Sequence, residues 1–120
     1  MAYTDGFVLP VPKKNLQTYL RFARKAGKLW MEHGALEYKE AVADDVPKGK
    51  LTSFPLSVKL KPSETVIFSW IVYKSRKHRD KVNAAVMNDP RLAKMGVDPS
   101  KMPFDGKRMI FGGFKIAVDL

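Results

Sequence analysis

The decapeptide ETVIFSWIVY, residues 64–73, is apolar on both of the faces that an extended chain presents. Alternate side chains of a strand point to opposite sides. Val66, Phe68, Trp70 and Val72 therefore share one side, and Ile67, Ile71 and Tyr73 the other, with Ser69 among the latter. A strand of this kind belongs inside a sheet with both faces covered. Any fold for this chain has to supply two covers.

The remaining segments supply one. GFVLPV (6–11) is a short apolar run ended by Pro10 and Pro12, which suits a first strand better than a helix. KKNLQTYLRFARKAGKLWMEHG places Leu16, Tyr19, Leu20, Ala23, Ala26, Gly27 and Trp30 on one side at helical spacing, with Gly34 positioned to close the helix. ALEYKEAVA (35–43) alternates as a second strand with one wetter face. SFPLSVKLK alternates Phe54, Leu56, Val58 and Leu60, the pattern of an edge strand or flap, because Pro55 excludes a central position. After ETVIFSWIVY, Ser75 opens a second helix with a thin apolar face of Val82, Ala85 and Val86, ending at Pro90. A loop through GVDPSKMPFDG leads to a last strand in KRMIFGGFKIAVDL, where Met109 and Phe111 oppose Ile110, Phe114, Ile116 and Val118.

Strand, helix, strand, flap, strand, helix, strand is the plan of an α+β, ferredoxin-like βαββαβ sandwich with an extra edge strand or flap. Its two helices cover one face of the sheet. The other face, to which this reading assigns Phe111, is left apolar, and a second copy of the same face is the simplest cover. The expectation is a homodimer paired sheet to sheet.

Length and composition bound the function. A chain of 120 residues with 45% hydrophobic content is read as a single domain, 1–120. MAYTDG lacks the features of a signal peptide and no apolar run approaches a membrane span, so a cytoplasmic protein with no membrane partner is expected. The absence of cysteine excludes disulfides, thiolate catalysis and cysteine-ligated metal centres. A formal charge of +10 would attract phosphates, anionic metabolites or an acidic surface.

DGFVLPVP, EHGALEY, DDVPKGKLTSFP, VIFSWIVYKS, RDKVNA and MPFDGKRMIFGGFK together resemble, from end to end, the YbaA-like family of small uncharacterised bacterial proteins. The resemblance implies a ferredoxin-like protomer that pairs through its sheets as a dimeric α/β-barrel, and it implies no particular reaction.

Several residues are candidates for chemistry. In YKSRKHRD (73–80), Arg76, Lys77, His78 and Arg79 crowd the positive end of a helix dipole, where acids are favoured. One reading is an anion held by the helix start with Ser75, His78 and Arg79. The structural alternative pairs Arg79 with Asp80, Asp89 or Asp105. Ser69 and Tyr73 direct hydroxyls toward a chamber expected between the paired sheets, and Arg108 is taken as a further polar group there. His33, with only Glu32 and Glu37 near in sequence, reads as structural, and Trp30 and Trp70 as core. Asp44 and Asp45 read as turn residues. No metal site or cofactor is expected.

Two functions follow. The first is binding or transformation of a small molecule, possible anions included, by Ser69, Tyr73, Ser75, His78, Arg79 and Arg108. The second is binding of nucleic acid or an acidic partner by the basic helix stripe Lys14, Arg21, Lys25 and Lys28, which lacks interleaved aromatics. Whether the chain is an enzyme is not decided by any motif in it.

Overall fold

The computed structural model describes residues 1–95 and 102–120. Its strands are β1 (Tyr3–Pro12), β2 (Glu37–Val42), β3 (Glu64–Tyr73) and β4 (Ile110–Lys115), and they form one sheet in the order β2-β3-β1-β4. Every neighbouring pair is antiparallel. Helix α1 (Leu16–Glu32) connects β1 to β2, and α3 (Arg76–Met87) follows β3. The doubly apolar strand is thus internal, between β2 and β1. β1 runs on through Pro10 and Pro12, but β4 pairs it only from Tyr3 to Val8. Both prolines therefore lie where no β4 neighbour calls for their missing N–H groups.

The two helices cover one face. Tyr19 and Ala23 of α1 pack with Leu9, Val11 and Ile67, while Val82 and Val86 of α3 join Leu29, Ile71 and Tyr73. Gly34 ends α1 with φ +112, a conformation that glycine adopts without a Cβ penalty. The Gly34 and Ala35 N–H groups then reach the carbonyls of Met31 and Trp30 at 3.2 and 2.9 Å, which satisfies the last turn.

The segment expected as an edge strand is instead a flap containing a short helix, α2 (Phe54–Ser57). Ser53 caps it by accepting the Leu56 N–H at 3.0 Å, and Pro55 falls in the first turn, where its missing donor costs nothing. Lys59, at φ +49, turns the chain back. Val58 is thereby buried against Val8 and Val66, covering one end of the second sheet face. Pro90 also acts differently from expectation. It ends α3 but opens α4 (Pro90–Lys94), because Asp89 accepts the Arg91 N–H at 2.9 Å as a cap. Within the expected GVDPSKMPFDG loop, residues 96–101 lie outside the described residues, and the last strand follows a 3-10 turn at Gly106–Arg108.

Register corrects one facing. Phe111 sits opposite Phe7 of β1, whose side of the strand carries Leu9 and Val11, so Phe111 is on the helix face. Ile110 and Phe114, opposite Val8 and Thr4, are on the open face.

Candidate functional site

Odd-numbered side chains of β1 and β3 point toward the helices, where α1 contributes the small residues Ala23 and Ala26. The space left between the layers is a cavity of about 530 Å³. Its walls are largely apolar, with the rings of Phe7, Phe22, Trp30, Phe104 and Phe111 among them. Polar groups enter at two places.

At the first, Asp5 of β1 is buried and accepts a hydrogen bond from Arg79 Nη1 at 2.5 Å. Arg79 Nε donates to Asp80 at 2.8 Å, and its guanidinium lies 5.0 Å from the centre of the Tyr3 ring. Asn83 Oδ1 accepts from the Tyr73 hydroxyl at 3.1 Å and from Trp30 Nε1 at 3.0 Å. Burial pushes the Asp5 carboxyl above its ordinary range, and the adjacent guanidinium offsets only part of that. Burial, with Asp5 nearby, also raises the Tyr73 phenol.

At the second, Glu40 of β2 receives one tyrosine on each oxygen: Tyr19 from α1 donates to Oε1 at 2.6 Å, and Tyr38 to Oε2 at 2.8 Å. Burial raises the Glu40 carboxyl while both hydroxyls pull it back, and both phenols are pushed well above their ordinary value by burial and by the carboxylate. Tyr38 is packed directly on Gly27, since a Cβ there would lie 2.6 Å from the ring. Ser69 stands opposite Glu40 across the β2–β3 pair.

The residues singled out in the sequence are dispersed. Ser69, Tyr73 and Arg79 line the cavity. That cavity lies between sheet and helices, not between paired sheets as expected, because the odd positions of β3 face α1 and α3. Ser75 and His78 are structural at the start of α3. The Ser75 hydroxyl accepts the His78 N–H at 3.0 Å, and His78 Nδ1 accepts the Lys74 N–H at 3.0 Å. The basic residues of YKSRKHRD thus separate by role: His78 satisfies backbone, Arg79 turns inward to Asp5, and Arg76 and Lys77 are exposed.

Arg108 lies outside the cavity lining, and its donors are engaged elsewhere. It forms a two-pronged pair with buried Glu64 at 2.8 and 2.6 Å, binds Asp105 at 2.9 Å and reaches the Lys59 carbonyl at 3.0 Å. His33 Nε2 meets Asp89 at 2.8 Å, an acid distant in sequence. Lys14, Arg21, Lys25 and Lys28 are all exposed. Asp5, Glu40, Tyr19, Tyr38 and Asn83 escaped sequence reading as site residues. The available signal was a lone acid within an apolar strand, for Asp5, and an acid two residues from Tyr38 on its better-buried face, for Glu40.

Among the described residues no three His, Cys, Asp or Glu side chains converge as a metal site, and no helix is long and apolar enough to cross a membrane. The family described as "Protein of unknown function (DUF1428)" matches residues 2–106. The proteins named "Uncharacterized protein YbaA" from Escherichia coli K12 and from Shigella flexneri are each 48% identical over 119 residues, covering 99% of both chains. Among solved structures, the de novo designed protein Foldit4 aligns over 95% of this chain and 94% of its own, at 7% identity and a TM-score of 0.42.

Proposed function

The chain belongs to the DUF1428 family, and from the interior described above we propose that it binds a small, neutral, largely aromatic molecule between its sheet and its helices. The protomer is ferredoxin-like in this reading and works as a homodimer joined through its open sheet faces. The observation that carries the binding reading is the cavity of about 530 Å³, apolar in most of its wall and polar at two separate places. Ligand sites are characteristically of this size and makeup.

The charges around this space favour a neutral ligand over an anion. Arg79, the cation lining the cavity, is already held by Asp5 and Asp80, while two carboxyl groups, Asp5 and Glu40, line the same space. An anion would meet two acids and one neutralised base. A neutral ring would exchange water for aromatic wall at about 25 cal/mol per Å² of apolar surface.

A ligand-observed NMR screen with small neutral aromatics and small carboxylates tests this. Neutral rings should bind, with backbone shifts clustered at Ser69, Ile71 and Ala26. Ala26→Leu, which intrudes on the cavity, should weaken them. Binding of carboxylates in preference to neutral rings, or shifts confined to the outer surface, would overturn the reading.

A further inference from the structure

Glu40 occupies an unusual place in the wall of this cavity. It lines the inner space, and together with Tyr38 it also lines an outer cleft of about 690 Å³ beside α1, bordered by Arg24 and Lys28. One side of the carboxylate thus faces the apolar interior and the other an open groove that carries Arg24, Lys28 and Glu32. Burial raises the carboxyl, and the two tyrosine hydroxyls that donate to it favour the ionised form against that rise.

The two tyrosines do not exhaust it. A carboxylate has about four acceptor positions, two on each oxygen. Tyr19 fills one on Oε1 and Tyr38 one on Oε2, which fixes the plane of the group and leaves acceptor capacity on both oxygens. Ser69, directly across the strand pair, has its Cβ about 5 Å from that of Glu40, as opposed residues do. An oxygen atom of a ligand placed between them is within reach of both.

We propose that Glu40 is the hydrogen-bond acceptor for a ligand hydroxyl, so that the molecule taken by the cavity is a neutral phenol or enol. The inference rests on the binding reading above and adds its polar specificity. The ring lies against the aromatic wall, and its O–H donates to Glu40 while Ser69 can donate to the same oxygen. Tyr19 and Tyr38 are positioning residues that hold the acceptor. A purely structural Tyr–Glu–Tyr clamp between α1 and β2 has no preference between a hydroxyl and an ether, and this difference separates the two roles.

The test compares 4-fluorophenol with 4-fluoroanisole by fluorine NMR titration of the wild-type protein and of Glu40→Gln near neutral pH, where a phenol is un-ionised. A hydrogen bond to a charged acceptor predicts a preference for the phenol on the order of tenfold or more. In Glu40→Gln the preference should shrink to a few-fold, with the affinity for the ether nearly unchanged. Equal binding of the two probes by the wild type overturns the role of Glu40 and leaves the cavity reading intact. Binding of neither overturns the cavity reading itself. A preference undiminished in Glu40→Gln assigns the acceptor elsewhere and also overturns the proposal.

Should the variant not fold, the wild-type pH profile decides. Burial raises the Glu40 carboxyl above the 4.5 of an ordinary glutamate, so acidification from about pH 8 to 4.5 protonates the larger part of it and should erode the preference. The groups facing it are Tyr19, Arg24, Lys28 and Glu32 from α1, Tyr38 from β2 and Ser69 from β3, and Asp5 shares the cavity. Protonation of Asp5 would alter both probes together, whereas loss of the Glu40 acceptor acts on the phenol alone. A ratio that stays constant across this range overturns the proposal.

Discussion

Arg108 shows how one side chain can join parts distant in sequence. Its guanidinium binds Glu64 at the start of β3, Asp105 before β4 and the flap carbonyl of Lys59. Removing one member of a buried pair leaves the other without compensation, so Arg108→Met should cost about 3 kcal/mol in denaturant unfolding. The hydrogen bonds from Arg108 hold the folded pKa of Glu64 below its ordinary 4.5. The resulting stabilisation is fully present above the unfolded pKa and is lost as pH falls through the depressed folded value. Glu64→Gln should therefore lower stability at neutral pH and flatten the loss of stability below about pH 4.5. A mutant curve parallel to the wild type through that region would show that Glu64 does not carry this dependence. Gly27 makes a second residue-scale case. A methyl group 2.6 Å from the Tyr38 ring has to displace it, so Gly27→Ala should destabilise by about 1–3 kcal/mol despite alanine's better helix propensity. A stabilised variant would mean that Tyr38 yields freely.

At the scale of elements, the flap depends on a local device. Ser53 caps α2 and also donates to the Lys48 carbonyl at 2.6 Å, so Ser53→Ala should cost about 1 kcal/mol and speed amide exchange around Val58. Unchanged exchange would show that Val58 packing alone holds the flap. This element also marks the limit of reading structure from periodicity. Phe54, Leu56 and Val58 alternate as a strand does, but four residues are too few to separate a period of 2 from one helical turn, and capping by Ser53 decided the outcome. Pro90 had a similar ambiguity, since proline both ends a helix and favours the first position of the next. α1 was legible because five turns of spacing agree with its terminal glycine, and β3 because ten residues are apolar on both sides. For β4, alternation grouped Ile110 with Phe114 but could not say which face they occupy. That information lies in the pairing of Phe111 with Phe7. The site was less legible for the same reason: Asp5, Glu40 and Tyr19 meet one cavity only through strand register and helix docking. The stripe Lys14, Arg21, Lys25 and Lys28 was legible as an exposed face, and RNA binding by it should appear only at low salt. Tight binding persisting at 200 mM salt and lost on reversing these four charges would revive a nucleic-acid role.

For the whole molecule, the decisive feature is the face of the sheet turned away from the helices. The flap buries Val8, Val58 and Val66 at one end, but beyond it Phe68, Ile110 and Phe114 remain 43%, 46% and 62% exposed. Trp70 continues the patch beside Phe68, with ring centres 5.4 Å apart and its Nε1 donating to Glu37 at 2.9 Å. An aromatic surface of this kind on a sheet marks an interaction site. Two copies related by a two-fold axis would cover each other's patch with the same residues, which needs no second protein. Light scattering at micromolar concentration should therefore give about twice the chain mass of 13.6 kDa. Phe114→Glu places a charge on that patch, at a position exposed in the single chain, and should yield a folded monomer. Phe111→Glu, on the opposite face at the cavity, should leave the dimer intact and impair aromatic binding instead. Because each chain carries a formal +10, association works against long-range repulsion, and added salt should strengthen the dimer by screening it while leaving the apolar contact in place. A wild-type protein of monomer mass at both low and moderate salt would reject sheet-to-sheet pairing, and a dimer split by Phe111→Glu but not by Phe114→Glu would place the contact on the helix side.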